Sequence, residues 1–238
     1  MRQQGKSILK TQPKGGDRNE LHGSEPPDGA EIDGRHRRGA KARTTLLRHA
    51  MDVASVKGLE GVTIGGLADD LGISKGNITT LFGGKEELQL KTLDGAVEIF
   101  IEQVVRPGSA AASPLQRLSR FCESWFDYVD RRVFPGGCML YATTNEYRAR
   151  PGPIQDRVNH HRQAWIQLLT STAQRALDAK ELKAGTDVDQ LVFELTSYQS
   201  LANTAALLGD QALFARARQT SRKRIAAVAH APARTARG

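Results

Sequence analysis

An all-α fold is predicted by three features of the sequence. Apolar residues recur at helical spacing in one segment after another, strand-like alternation is absent between those segments, and Gly or Pro stands where each segment stops. The expected architecture is a small N-terminal domain of three helices containing a helix-turn-helix, followed by a larger helical domain.

Residues 1–42 are rich in Gly, Pro, Asp, Arg and Lys and nearly devoid of large apolar side chains. Such a stretch cannot bury enough surface to offset the entropy of ordering, so it is expected to be a disordered basic arm. From Thr44 to Lys57 the residues Leu46, Leu47, Ala50, Val53 and Ala54 fall on one stripe, and Gly58 ends the helix. Leu67, Ala68, Leu71, Ile73, Ile78 and Phe82 are then spaced as two short amphipathic helices around a turn at Gly72. Thr63 and Ser74 stand where a hydroxyl caps the start of each. The Gly83-Gly84 turn leads into a helix from Lys85 to Val105, with Glu86 and Glu87 in its first turn, and Pro107-Gly108 is expected to stop it.

Beyond the small-residue segment 109–113, helices are predicted over Pro114–Arg132, Cys138–Tyr147, Ile154–Lys180, Asp187–Leu208 and Gln211–Ala229. The apolar set of Asp187–Leu208 is wider than one stripe, so that helix is expected to bury two faces, one of them against a partner. Residues 231–238 are read as a disordered tail.

The order of helix, Gly58, Val62-Thr63-Ile64, Leu67-Ala68, Leu71-Gly72-Ile73-Ser74-Lys75-Gly76, Phe82 and Lys85-Glu86-Glu87-Leu88 resembles the N-terminal domain of TetR-type (TetR/AcrR) transcriptional regulators. The resemblance implies a DNA-binding domain over 43–93, a helix over 85–105 joining it to the body, and a regulatory and dimerisation domain over 94–230. The pattern departs from the family at Thr79, where an aromatic that packs by the DNA backbone is usual. A ligand-binding helical dimer with weakened DNA recognition is therefore the alternative reading.

In a helix-turn-helix the second helix enters the major groove. With Ile78 and Phe82 on the buried side, Lys75, Gly76, Asn77, Thr79 and Thr80 are left toward DNA. Asn77 is the candidate base reader, since its amide can pair with adenine N6 and N7. Lys75, Lys85 and the capping Thr63 and Ser74 are candidates for phosphate or neighbouring contacts. The net charge of +8 is carried by the two ends. Residues 1–43 hold ten Lys/Arg against six Asp/Glu, residues 211–238 seven against none, and the middle seventeen against twenty. The run Arg35, Arg37, Arg38 and Arg43 is thus expected to supply non-specific attraction to double-stranded DNA. One head offers few contacts, so a homodimer on a palindromic operator is expected.

The resemblance also places Trp125, Tyr128, Phe134, Met139, Tyr141 and Trp165 on segments that line a cavity for a small-molecule effector. It puts the dimer interface on the last two helices, with Leu191, Leu195, Tyr198, Leu201, Ala202, Ala205 and Phe214 as candidates. A thiol-responsive regulator using Cys122 and Cys138 is a further alternative, and Asp156 and His160, i and i+4 on one helix with His161 adjacent, could bind a metal, although a solvated or hydrogen-bonded pair is commoner. No cofactor is implied. An enzyme is opposed by the lack of a nucleophile elbow, a phosphate-binding glycine loop or a metal-spaced cluster. No run of eighteen apolar residues or apolar leader is present, which predicts a cytoplasmic chain without a membrane span.

Overall fold

The computed structural model describes the backbone of residues 29–230 and the side chains of 39–230. The elements are α1 (Gly29–Lys57), α2 (Ile64–Leu71), α3 (Lys75–Phe82), α4 (Lys85–Phe100), α5 (Arg106–Ser109), α6 (Pro114–Asp130), α7 (Met139–Tyr147), α8 (Pro153–Asp178), α9 (Val188–Leu208) and α10 (Gln211–Val228). Among the described residues there is no strand, only an isolated bridge between Leu182 and Ala229.

The first helix begins at Gly29, so residues 29–42 have helical backbone where composition predicts a disordered arm. Beyond Pro27 no proline interrupts the run, and Ala30, Glu31, Ala40, Lys41 and Ala42 are good helix formers. Residues 1–28 and 231–238 lie outside the described residues. At its other end, α1 stops at Gly58, whose φ of 77° is open to glycine at little cost.

Helix α4 does not stop at Pro107. It passes through a widened π turn at Ile101–Val105 into α5, which contains Pro107 and Gly108 and ends at Ser109. A proline inside a helix lacks its N–H and crowds a carbonyl one turn back. A π turn immediately ahead loosens that stretch of the hydrogen-bond ladder, so the helical path continues beyond the expected break.

The body packs around α6, whose Phe121, Cys122, Trp125, Phe126, Tyr128 and Val129 are all buried. Burial pushes the Cys122 thiol up to about 12 and raises Cys138 as well, which disfavours the reactive thiolate at both. The basic residues of α10 are largely spent inside the body. Arg218 and Arg222 both engage Glu123 of α6, and Arg224 pairs with Glu194 of α9.

Head and body meet through the loop after α6. The Gly136 N–H donates to Ser55 Oγ at 3.0 Å, and the Arg48 guanidinium stacks 4.8 Å from the Phe134 ring while donating to the Val133 carbonyl. A Cβ at Gly136 would fall 1.7 Å from the Ser55 carbonyl oxygen, a backbone atom that cannot step aside. Gly136→Ala is therefore expected to lower unfolding stability by about 1–3 kcal/mol. At Gly76, in an exposed helix, a Cβ would meet nothing closer than 3.8 Å, and substitution by Ala should gain up to ~1 kcal/mol. Urea midpoints of the two variants should move in opposite directions; matching shifts would contradict the packing at Ser55.

Candidate nucleic-acid interface and effector cavity

Each helix of the helix-turn-helix is capped as its sequence predicts. Thr63 Oγ1 accepts the Gly66 N–H at 3.0 Å, Ser74 Oγ accepts the Asn77 N–H at 3.2 Å, and Gly72 takes a left-handed φ of 63° at the turn. Ile78 and Phe82 are wholly buried, while Lys75, Gly76, Asn77, Thr79 and Thr80 are exposed. None of those five residues serves the core.

The far end of α3 is held by two cations. Arg43 donates to the Leu81 carbonyl at 2.8 Å, and Lys91 of α4 donates to the Phe82 carbonyl at 3.3 Å, both lying over the Phe82 ring. Cations at a helix C-terminus satisfy orphan carbonyls and complement the dipole. Arg43, expected to belong to the DNA-binding basic run, thus positions the recognition helix. The side chains of Arg35, Arg37 and Arg38 lie outside the described residues.

Two other expectations change in detail. Lys85 is paired with Glu60 at 2.7 Å, so a phosphate would have to displace that carboxylate. The Thr79 and Thr80 hydroxyls donate to the Lys75 and Gly76 carbonyls. Their protons are spent within the helix, which leaves lone pairs and methyl groups for a partner.

Glu60 belongs to a single 3-10 turn, Leu59–Gly61, that the body grips. Both oxygens of Glu146 on α7 accept backbone N–H groups of this turn, from Leu59 and Glu60, each at 2.9 Å. Tyr147 donates its hydroxyl to Glu60 at 2.9 Å, and Gln89 of α4 donates to the Leu59 carbonyl. Hydrogen bonds from Lys85 and then Tyr147 hold the Glu60 carboxyl below the usual range, while burial and the neighbouring Glu60 push the Tyr147 phenol up.

A cavity of about 290 Å³ lies in the body. Leu93, Ala96 and Phe100 of α4, Ile101 and Val105 of the π turn, and residues of α6, α7 and α8 form its wall. Of the six expected lining residues, Tyr128, Met139 and Trp165 are there. Tyr141 instead lines a neighbouring, more polar pocket of about 270 Å³ and donates to Gln199 at 2.9 Å. Trp125 packs edge-on against Phe126 and Tyr141, and Phe134 sits under Arg48; both are core filling and line neither pocket. Composition marks aromatics as pocket candidates without separating wall from core. Most of the residues missed, Leu93, Ala96 and His161 among them, lie on α4, the π turn and α8.

His161 is engaged by Asp94 of α4. Its Nε2 lies 3.1 Å from Asp94 Oδ1, and the other Asp94 oxygen takes the Arg157 guanidinium. Among the described residues no group of three potential metal ligands occurs.

Most of the residues expected at a dimer interface lie inside the chain. Leu191, Leu195, Ala202, Ala205 and Phe214 are buried within the chain's own core and cannot meet a second copy. Tyr198 is half-buried and Leu201 is exposed. The apolar residues of α9 that do face outward are Phe193, Leu201, Leu207 and Leu208, with Leu208 79 % exposed.

Comparison with known proteins covers both regions. Residues 46–91 match the family of bacterial regulatory proteins, tetR family, and residues 114–221 match the tetracyclin repressor-like C-terminal domain. Among curated proteins none matches. Of the solved structures, a TetR transcriptional regulator from Chloroflexus aurantiacus superposes with a TM-score of 0.74 at 21 % identity, over 81 % of this chain and 98 % of that one. A TetR-family regulator from Cytophaga hutchinsonii gives 0.71 at 21 % identity, over 82 % and 98 %. AibR, solved with isovaleryl coenzyme A and operator DNA, gives 0.57 at 17 % identity, over 68 % and 85 %.

Removing the Glu146 carboxylate would leave the two amides of the Leu59–Gly61 turn without their acceptor. Glu146→Ala should cost about 1.5–3 kcal/mol, the range for hydrogen bonds to a charged group. Amide exchange at Leu59 and Glu60 should accelerate more than elsewhere in the head. Unchanged protection at those two amides would show that the body does not hold the turn.

Proposed function

The chain belongs to the TetR family of transcriptional regulators, and from that premise we propose a homodimeric repressor. It binds a palindromic operator through α3 and is released when a small apolar effector occupies the body cavity. The observation that carries the reading is the capped, exposed face of α3, where Lys75, Gly76, Asn77, Thr79 and Thr80 stand clear of a core closed by Ile78 and Phe82. Asn77 reads a base, Lys75 meets a phosphate, and the Thr79 and Thr80 methyls suit thymine. Lys85 adds a phosphate contact once Glu60 yields it. The basic run Arg35, Arg37, Arg38 supplies sequence-independent attraction. No described helix is long and apolar enough to cross a membrane; a chain that binds operator DNA would work in the cytoplasm.

Pairing is assigned to the outer face of α9. Phe193, Leu201 and Leu208, with Ser197 and Thr204 between them, follow one another at helical spacing on one exposed stripe. Exposed apolar side chains gathered on one helix face suit a self-complementary contact between two copies. The cavity lies beside α4, whose first turns also carry α3. An occupant that prefers one spacing of the two heads would lower operator affinity by linkage.

The direct test is selection of bound DNA from a random pool by the full-length protein at near-physiological salt. A palindrome with half-sites centred roughly 10 bp or a small multiple apart is expected. Asn77→Ala should relax one position of each half-site by about 1–3 kcal/mol. A pool that shows no enrichment would favour the ligand-binding dimer with a weakened head.

Light scattering tests the interface separately. Phe193→Asp and Leu208→Asp should give folded monomers with native circular dichroism, whereas Leu195→Asp should unfold the chain because its site lies in the core. A folded dimer in both surface variants would move the interface elsewhere.

A further inference from the structure

The cavity wall is apolar except at a few points, and two of these carry hydrogen-bonding side chains with capacity to spare. Tyr128 of α6 is only 1 % exposed, is held edge-on by Phe100 at 5.7 Å and Phe134 at 6.1 Å, and lines the cavity. Its hydroxyl makes no hydrogen bond among the described residues. At the cavity wall, a hydroxyl with no protein partner is open to a hydrogen bond from an occupant.

The second point is His161 of α8. A carboxylate only accepts hydrogen bonds, so the 3.1 Å contact between His161 Nε2 and Asp94 Oδ1 requires the proton on Nε2. In the neutral ring Nδ1 is then the acceptor left for an occupant. Asp94 is in turn matched by Arg157. The Asp94 carboxylate and the Arg157 guanidinium thus offset one another beside the wall.

From this arrangement we infer that the effector is a neutral hydroxylated hydrocarbon about the size of a fused two-ring phenol. Its hydroxyl donates to His161 Nδ1 and accepts from Tyr128, and its rings fill the space between Phe100, Trp165, Met139 and Leu168. The size follows from the volume: about 290 Å³ is roughly twice the ~150 Å³ that holds a benzene. The inference rests on the reading of this cavity as the effector site and adds the chemical class it takes. An anion is disfavoured because apolar walls desolvate it without a paired charge, and a plain hydrocarbon because it leaves the Tyr128 hydroxyl and His161 Nδ1 unanswered.

The test is equilibrium dialysis of the full-length protein, without DNA, against 2-naphthol, naphthalene and 2-naphthoate. These share one ring system and differ in the polar group. 2-Naphthol should bind at least about tenfold more tightly than either of the others. Tyr128→Phe and His161→Phe should each shrink the naphthol preference over naphthalene several-fold. Naphthalene binding should persist in Tyr128→Phe, which shows that the cavity is intact in that variant.

Equal affinities for all three probes, tighter binding of 2-naphthoate, or a naphthol preference that survives both variants would overturn the assignment. Failure of all three to bind in the millimolar range would do the same. Because no DNA is present, a protein that binds 2-naphthol yet stays on its operator would keep this assignment and remove the release mechanism instead.

Discussion

Because α4 supports the recognition helix with its first turns and walls the cavity with its last, its position constrains both ends of the molecule. Lys91 reaches back to the Phe82 carbonyl, Gln89 holds the Leu59 carbonyl, and Leu93, Ala96 and Phe100 face the cavity less than three turns further on. A helix is stiff over that distance, so a displacement at the cavity cannot be absorbed between the two. What lies beyond is softer. The π turn at Ile101–Val105 interrupts the regular ladder just where two of its residues meet the cavity, leaving α4 with one firm end and one adjustable end.

A second tie between head and body runs through α7. Its first residues, Met139 and Leu140, line the cavity, and Glu146 near its end accepts both amides of the Leu59–Gly61 turn. Gly58 is required beside this contact for space as well as for backbone angle. A Cβ there would lie 2.7 Å from the Glu146 oxygen that the Glu60 N–H already holds in place. Glu60, in the same turn, pairs with Lys85 at the start of α4. The head is thus gripped by α4 and α7 together, and both reach the cavity wall.

Much of the head was legible in the sequence because its signals are local. Thr63 and Ser74 bond amides three residues on, Gly72 needs its own φ, and Ile78 and Phe82 are one turn apart; pattern and structure coincide at these positions. The body was legible as helices but less so as surfaces. Leu195 and Leu201 are equally apolar, and only packing against α6, α8 and α10 decides that the first is core and the second exposed. Trp125 and Trp165 likewise differ in which neighbours they meet, a long-range property that periodicity does not encode. The passage of the helix through Pro107 was hidden because a proline normally argues for a break, and the π turn that accommodates it carries no distinctive residue pattern. Charge was legible as a total and less so as a distribution. Arg43, Lys85, Arg218, Arg222 and Arg224 are engaged within the chain, so the cations of the described residues contribute less to DNA attraction than their number suggests.

Cavity and recognition helix share α4 and α7, and through them an occupant is expected to bear on operator affinity. The operator affinity of a chain whose cavity is filled by one of its own side chains tests this most directly and needs no knowledge of the effector. Ala164 stands on α8 at the exposed edge of the cavity wall, and Ala164→Phe is designed to turn a ring into the cavity, which loss of probe binding would verify. With folding verified by circular dichroism, operator binding should weaken by about 5–150-fold, the range of allosteric couplings of about 1–3 kcal/mol. Unchanged affinity in a folded variant whose cavity no longer admits a probe would contradict the coupling and leave the cavity as a packing void.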